Sequence, residues 1–192
     1  MRSPLWTCAE LLSACNGVMY NPNHSDNYVS GIEIDSRKCR SGDLFIALTH
    51  GQQDGHKFLK KAVDAGAVGC LVSHPQDNLD IMQIVVDNTL TGLTHLGIAG
   101  RKRFSGKMIG ITGSVGKTGS KDMLAHILAN FNQTHASQSS FNNYLGVPIT
   151  LSTLPANYKF GIQEMGMNAS GEIATLTALA RPDVAMITRV TS

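Results

Sequence analysis

A glycine-rich segment that ends in Gly-Lys-Thr is the part of this sequence with the clearest chemistry. It runs from Thr112 to Thr118 and follows an apolar stretch, 107–112, that is typical of a buried β-strand. A strand, a glycine turn and a helix start form a phosphate site, because backbone amides and the helix N-terminus face the anion. Lys117 would add a positive charge near the outer phosphates, and Thr118 would offer a hydroxyl to a phosphate-bound Mg²⁺. These residues predict a protein that binds ATP or GTP.

The spacing of this loop departs from the general phosphate-loop pattern. That pattern has a glycine five positions before Gly116, where this sequence has Ile111. An ordinary glycine turn before Lys-Thr is the alternative interpretation. We favour the nucleotide site because an amphipathic helix is predicted over 118–130. The residues predicted to bind the nucleotide are Gly113, Ser114, Val115, Gly116, Lys117, Thr118 and Gly119.

Glu164 is the predicted partner of the loop. It lies at the end of a predicted central strand, where phosphate-loop folds commonly place a metal-binding carboxylate. We predict that Thr118 and Glu164 bind the metal and that Lys117 and Glu164 are the catalytic residues. The alternative is a charged residue in an exposed loop.

Two adjacent asparagines form another candidate site. Asn142 and Asn143 offer amide donors and acceptors that suit a sugar, a peptide or an ordered Mg²⁺ shell. Asparagine also favours turns and helix caps. The sequence does not decide between these two interpretations.

Polar residues also follow two predicted strands in the first half of the chain. Ser36, Arg37, Asp54 and His56 could face one pocket, in which Arg37 is a candidate phosphate ligand. The alternative is that Asp35 and Asp54 cap turns or helices and that Arg37 is a surface charge.

The elements that must position these residues alternate between strands and helices. The first segment, 1–105, is predicted to be a small N-terminal α/β domain. Its strands are predicted over 29–35, 43–48, 68–73 and 83–87, and its helices over 54–67 and 89–104. The first of these helices is predicted to be capped by Asp54 and to have an inner face formed by Phe58, Leu59, Ala62 and Val63. The second segment, 106–192, is predicted to be part of a doubly wound parallel sheet. Its strands are predicted over 107–112, 158–165 and 183–188, with helices over 118–130, from Gly146, and over 170–179. Because three strands are few for such a sheet, we expect a longer protein.

The amino-acid composition limits the classes of protein to which this chain can belong. The 192 residues are 42% hydrophobic and 16% charged, which is typical of a folded globular protein. A net charge of +2 gives no support for nucleic-acid binding, and no stretch is apolar enough to cross a bilayer. The four cysteines are widely spaced and form no metal-ligand pattern, so we expect buried free thiols in a reducing cytoplasm.

The motifs taken together resemble the Mur ligases, the ATP-dependent amide-bond ligases of peptidoglycan synthesis. The segments that carry this resemblance are 112–118, 141–151, 164–168, 171–173, 181–182, 35–37, 42–48 and 54–58. The resemblance covers nearly the whole chain. It implies a UDP-muramyl-peptide-binding domain over 1–105 and the front part of an ATP-binding central domain over 106–192.

The resemblance also implies ligands and roles. ATP and Mg²⁺ would be the cofactors, and the substrates would be UDP-N-acetylmuramoyl-tripeptide and D-alanyl-D-alanine, which become joined through an acyl phosphate. Ser36 and Arg37 would lie near the uridine nucleotide, and Asn142 and Asn143 would lie between ATP and the muramyl peptide. We expect a monomer that lacks the rest of the catalytic machinery and therefore has little or no ligase activity alone.

Three alternatives remain open. The chain could belong to a related ligase that adds a different amino acid, or to a folate enzyme that adds glutamate. It could be a nucleotide-binding or UDP-muramyl-peptide-binding module without chemistry. An unrelated phosphate-loop GTPase or kinase fits the short loop spacing less well.

Overall fold

The computed structural model describes residues 3–20, 22–24, 28–51, 53–138 and 141–191. The chain forms two compact units, which divide between Leu96 and Gly97. The domain boundary expected at 105/106 remains a prediction. None of the helices in the described ranges has the length and apolar character needed to cross a membrane.

The first unit is built on a five-stranded sheet. The strands of the whole unit, which also include two short two-stranded ribbons, are β1 (Trp6–Thr7), β2 (Val18–Met19), β3 (Tyr28–Val29), β4 (Gly31–Glu33), β5 (Asp43–Ile46), β6 (Thr49–His50), β7 (Gln53–Asp54), β8 (Gly69–Val72) and β9 (Met82–Val85). Its helices are α1 (Cys8–Cys15), α2 (Leu59–Asp64) and α3 (Thr89–Arg103), with 3₁₀ turns at Pro22–His24 and Gly55–Phe58. The division between the units falls within α3. The sheet order is β2-β9-β8-β5-β4, with β2 antiparallel to β9 and every other pair parallel.

The predicted strand over 29–35 is divided in the structure. Tyr28–Val29 pairs with β1 in a separate two-stranded ribbon, and only Gly31–Glu33 joins the main sheet beside β5. The sequence does not predict β2, because a strand of two residues has no measurable periodicity.

A predicted helix over 54–67 is a 3₁₀ turn followed by the short helix α2. Asp54 caps the turn as expected, since its carboxylate accepts the backbone N–H of His56. Leu59 and Ala62 face the core, but Phe58, predicted to face inward, is 48% exposed. The core on this side of the sheet also contains Phe45. All four cysteines are buried and free, as predicted.

The second unit has strands on both sides of the phosphate loop in the sequence. Its elements are β10 (Lys107–Thr112), α4 (Lys117–Ala129), β11 (Thr134–Ala136), α5 (Gly146–Ser152), β12 (Phe160–Glu164), α6 (Glu172–Ala180) and β13 (Val184–Ile187). The sheet order is β11-β12-β10-β13, and all pairs are parallel. β11 was not predicted, because its three residues lie in a polar stretch.

Helices cover both faces of this parallel sheet. Side chains alternate along β10, so that Ile109 and Ile111 pack towards α4 while Met108 packs towards α5 and α6. This is the doubly wound α/β arrangement that the sequence predicts. β10 and β12 are the central strands, and their C-terminal ends carry the loop at Gly113 and the carboxylate of Glu164.

Candidate functional site

The turn between β10 and α4 depends on two glycines. Gly113 has a φ of 137° and Gly116 a φ of 88°, values that residues with a side chain adopt only with strain. The side chain of Lys117 folds back over this turn. Its Nζ donates hydrogen bonds to the carbonyl oxygens of Gly113, at 2.6 Å, and Ser114, at 3.4 Å. The ammonium group therefore lies against the loop at the start of α4.

Two of the loop amides are already hydrogen-bonded. The N–H groups of Ser114 and Val115 donate to the carbonyl oxygen of Arg189, at 2.8 and 3.4 Å. The first N–H groups of α4 have no partner within the helix, so these are the amides that remain for a phosphate. A helix N-terminus attracts anions, and the ammonium group of Lys117 adds positive charge beside it. Gly119, in the first turn of α4, has open space around it.

Glu164 is buried at the end of β12, with 2% of its surface exposed. Its Oε2 accepts a hydrogen bond from the hydroxyl of Thr118 at 2.9 Å, and its Oε1 accepts one from Nδ2 of Asn142 at 2.9 Å. The alternative interpretation, a carboxylate in an exposed loop, is therefore wrong. Both donors are neutral, and a buried carboxylate without a cationic partner in contact is costly.

The oxygen atoms of Thr118 and Glu164 fit a magnesium ion by their chemistry. Mg²⁺ binds oxygen ligands and is usually held by one or two carboxylates together with substrate phosphates and water. Within the described ranges, no group of three or more His, Cys, Asp or Glu side chains could enclose a metal. A metal ion at this pair would therefore need phosphate oxygens to complete its shell.

The two asparagines differ in what they contact. The side chain of Asn142 reaches Glu164, as described above. The side chain of Asn143 turns towards the start of α5, and its Oδ1 accepts the N–H groups of Leu145, at 3.1 Å, and Gly146, at 2.9 Å. Asn142 thus suits the ligand-facing interpretation and Asn143 suits the turn and cap interpretation.

Gln163 supports this site and was not among the predicted site residues. It is fully buried, and its Nε2 donates to the carbonyl oxygens of Phe141 at 3.1 Å and Glu164 at 2.6 Å. It thereby fixes the residue that precedes Asn142 to the end of β12. A polar residue inside an otherwise apolar strand, next to the candidate carboxylate, is the sequence signal that could have identified it.

The first unit has a pocket of about 570 Å³ beside Ser36 and Arg37. Of the four residues expected to face one pocket, Ser36, Arg37 and Asp54 do so, whereas His56 is not part of its lining. The lining consists of Ile34, Asp35, Ser36, Arg37, Gln53, Asp54, Lys57, Phe58 and Lys61.

The charges around this pocket are unequal. Arg37 is bound in a bidentate manner by Asp35, with Nε to Oδ1 at 2.8 Å and a terminal nitrogen to Oδ2 at 2.7 Å. These hydrogen bonds from Arg37 lower the pKa of Asp35 to about 2. Lys57 and Lys61 are exposed and form no ion pair with a described residue. Three cationic side chains therefore line the pocket against the two carboxylates of Asp35 and Asp54, which favours an anionic ligand.

His56 lies in a cluster that superficially resembles a hydrolase triad. Its Nδ1 is 2.6 Å from Oδ1 of Asp54, and its Nε2 is 3.3 Å from the hydroxyl of Ser73. However, the backbone N–H of Ser73 also donates to Nε2, at 3.0 Å. The lone pair that a catalytic base would need is therefore occupied, and the cluster serves to join the 3₁₀ turn to the end of β8. The hydrogen bond from the backbone N–H of His56 is the main cause that lowers the pKa of Asp54.

Two family models match the chain. The model described as the Mur ligase middle domain matches residues 111–192, and the model described as the Mur ligase family, catalytic domain, matches residues 28–101. The first match contains the phosphate loop and Glu164, and the second contains the pocket beside Arg37.

The chain is similar to bacterial proteins named UDP-N-acetylmuramoyl-tripeptide–D-alanyl-D-alanine ligase. It is 37% identical over 188 residues to the protein of Bacillus subtilis, a match that covers 96% of this chain and 41% of that protein. It is 34% identical to the protein of Escherichia coli, over 94% of this chain and 39% of that protein. The chain thus spans about two fifths of the length of these relatives.

Solved structures agree with this similarity. A UDP-N-acetylmuramoylalanyl-D-glutamyl-2,6-diaminopimelate–D-alanyl-D-alanyl ligase from Acinetobacter baumannii matches with a TM-score of 0.84 and 35% identity, over 97% of this chain and 42% of that one. A MurF ligase from Thermotoga maritima, in complex with ADP, matches with a TM-score of 0.68 and 30% identity, over 84% of this chain and 38% of that one.

Proposed function

The chain belongs to the Mur ligase family, and on that premise we propose that it carries the nucleotide-binding parts of a ligase that joins D-alanyl-D-alanine to UDP-N-acetylmuramoyl-tripeptide. The names of the similar proteins support this choice of substrates. The observation that carries the proposal is the 2.9 Å contact between the Thr118 hydroxyl and the buried carboxylate of Glu164, next to an anion-binding helix end. These groups are suited to hold the outer phosphates of ATP and their metal ion.

ATP would bind at the start of α4. The free amides of the first turn and the ammonium group of Lys117 would hold the β- and γ-phosphates and stabilise the charge that moves onto ADP. Lys117 would have to exchange its bonds with the Gly113 and Ser114 carbonyl oxygens for bonds with the phosphates. The ADP-bound relative supports the same nucleotide class.

Magnesium would be held by the oxygens of Thr118 and Glu164. When bound, the ion would neutralise phosphate charge and orient the transferred group. The ion would place a positive charge beside the Glu164 carboxylate, whose partners Thr118 and Asn142 are neutral. Asn142, which shares Glu164 with Thr118, would lie between ATP and the muramyl peptide.

The pocket of the first unit would receive the uridine nucleotide. Arg37 is already paired with Asp35, so Lys57 and Lys61 are the cations best placed to hold the diphosphate. The half-exposed ring of Phe58 offers a flat surface on which a uracil base can stack. The hydroxyl of Ser36 is suited to a hydrogen bond with the base or the ribose.

The proposed reaction has two steps. In the first, a carboxylate oxygen of the tripeptide attacks the γ-phosphorus of ATP, the bond to the bridging oxygen breaks, and an acyl phosphate and ADP form. In the second, the amine nitrogen of D-alanyl-D-alanine attacks the acyl carbon and loses a proton, and inorganic phosphate leaves. Binding and orientation of the two nucleotides is the part that the described residues would contribute.

Because the chain spans about two fifths of its relatives, we expect it to bind both nucleotides without robust ligation. Calorimetry with β,γ-imido-ATP plus MgCl₂, and separately with UDP-N-acetylmuramoyl-tripeptide, tests this. Lys117→Ala should lower the affinity for the ATP analogue about 10-fold to 100-fold, which corresponds to the loss of one or two charge-assisted hydrogen bonds. The affinity for the uridine ligand should not change.

The exposed Lys159 provides a matched control, since Lys159→Ala should change neither affinity. Absence of binding of both ligands to the wild-type chain would contradict the proposal, as would robust D-alanyl-D-alanine-dependent phosphate release by this chain alone. Ligation of a different amino acid by the longer protein would instead indicate a related ligase.

A further inference from the structure

Lys121 is a buried cation that the proposed chemistry does not use. It lies in α4, one helical turn after Lys117, and only 3% of its side chain is exposed. Lysine is almost never buried so completely unless its ammonium group has partners. Here Nζ donates to the carbonyl oxygen of Ser137 at 2.9 Å and lies 3.1 Å from the carboxylate of Asp122.

The partner of Lys121 is itself hydrogen-bonded to the backbone of Glu164. Ser137 is 2% exposed, and its hydroxyl accepts the backbone N–H of Glu164 at 3.0 Å. The backbone N–H of Ser137 donates to the carbonyl oxygen of Ile162 in β12. Ser137 is therefore fixed to β12 by two hydrogen bonds and to α4 by the ammonium group of Lys121.

These contacts close a ring around the site. Helix α4 reaches Glu164 directly through the hydroxyl of Thr118 and indirectly through Lys121 and Ser137. The direct contact engages the carboxylate, and the indirect contact engages the backbone of the same residue. A long apolar side chain at position 121 could fill the same volume, but it could not hold the Ser137 carbonyl oxygen.

We propose that Lys121 is a positioning residue that, through Ser137, keeps the carboxylate of Glu164 directed at the Thr118 hydroxyl. The inference rests on the proposed function, because it assigns to Lys121 a role in metal-dependent nucleotide binding. Residues that orient metal ligands in this way typically contribute 10-fold to 100-fold in metal affinity. Lys121 is not among the residues proposed to contact the nucleotide, so its removal should leave metal-free nucleotide binding unchanged.

The test compares the affinity of the 192-residue chain for β,γ-imido-ATP in EDTA and in saturating MgCl₂. The ratio of the two affinities measures the contribution of the metal. Lys121→Met should reduce this ratio about 10-fold or more while the affinity in EDTA stays at the wild-type value. The exposed Lys159→Met is the matched control and should retain the wild-type ratio.

Ser137→Ala is a second variant that removes one hydroxyl and keeps the carbonyl oxygen for Lys121. It should also lower the ratio, and the double variant should lose less than the sum of the two single losses, because both act through one path. If Lys121→Met does not fold, Ser137→Ala decides the question alone.

The inference is overturned if Ser137→Ala keeps the wild-type ratio, or if Lys121→Met weakens binding equally in EDTA and in MgCl₂, which is what a general structural role would produce. Failure of the wild-type chain to bind the analogue in either condition would refute the proposed function, and this inference with it. If the wild-type chain binds the analogue and the variants keep the wild-type ratio of affinities, the role of Lys121 is refuted while the proposed function stands.

Discussion

Replacement of Glu164 by Gln should weaken metal-dependent nucleotide binding without lowering the free energy of unfolding. The substitution keeps the shape of the side chain and removes its charge. In the present structure the carboxylate is 2% exposed and is contacted by the neutral donors Thr118 and Asn142, each at 2.9 Å. The Thr118 hydroxyl can rotate to accept a hydrogen bond from the new amide, so the contact between the two side chains is kept with its direction reversed.

The magnitude follows from these contacts. A hydrogen bond to a charged acceptor contributes about 1.5–3 kcal/mol, against about 0.5–1.5 kcal/mol for a neutral one, so the two weakened bonds cost about 2 kcal/mol together. Against this, a buried carboxylate carries a desolvation penalty of several kcal/mol, which the amide does not have. Without nucleotide or metal, the free energy of unfolding of Glu164→Gln should therefore equal or exceed the wild-type value.

Metal-dependent binding should become weaker. Loss of the carboxylate should lower the gain in β,γ-imido-ATP affinity produced by MgCl₂ by at least about 10-fold. Urea unfolding measures the first effect and calorimetry in EDTA and MgCl₂ measures the second. Glu172→Gln, an exposed glutamate in the same unit, is the control and should show no change in metal dependence. A Glu164→Gln variant that is clearly less stable yet binds the magnesium complex normally would show that the carboxylate serves folding and not the metal.

Three further predictions concern stability and reactivity. Gly119→Ala should raise the free energy of unfolding by about 0.5–1 kcal/mol in urea titrations, because a Cβ there meets no atom within 4 Å; a destabilised variant would contradict this. The pKa of Asp35 is lowered from 3.8 to about 2 by the hydrogen bonds from Arg37, so its contribution to stability should be complete above about pH 4 and lost as the pH falls towards 2. The difference in melting temperature between wild type and Asp35→Asn should vanish as the pH falls over that interval. A difference that grows on acidification would show that the ionised Asp35 does not stabilise the fold. All four thiols are buried, and burial raises the pKa of Cys15 to about 12, so a thiol reagent should label the native chain only after denaturant is added.

The sequence was sufficient where the signal is local. A run of apolar residues that ends in glycines and Lys-Thr predicts a strand, a turn and a helix without reference to the rest of the chain, and β10, the loop and α4 are all present. The same holds for Glu164, since an apolar strand that ends in a carboxylate places it at the edge where parallel strands bind ligands.

The sequence was insufficient where the outcome depends on distant partners. Asn142 and Asn143 are chemically identical, and only the proximity of Glu164 to one and of the α5 start to the other separates their roles. Lys121 was predicted simply to lie on an amphipathic helix. Its burial depends on Ser137, which lies 16 positions further along the chain. Phe58 was predicted to face inward because a regular helix was assumed, and a 3₁₀ turn places it at the pocket instead.

A crystal structure of this chain with β,γ-imido-ATP and Mg²⁺ would show directly whether the loop at Gly113 and the carboxylate of Glu164 hold the nucleotide and its metal ion. The triphosphate should lie at the N-terminus of α4, with Lys117 turned from the loop carbonyl oxygens to the phosphates. The metal ion should lie within coordinating distance, about 2.0–2.1 Å, of an oxygen of Thr118 and of an oxygen of Glu164. A nucleotide bound elsewhere, or a metal ion that contacts neither residue, would contradict the proposed site.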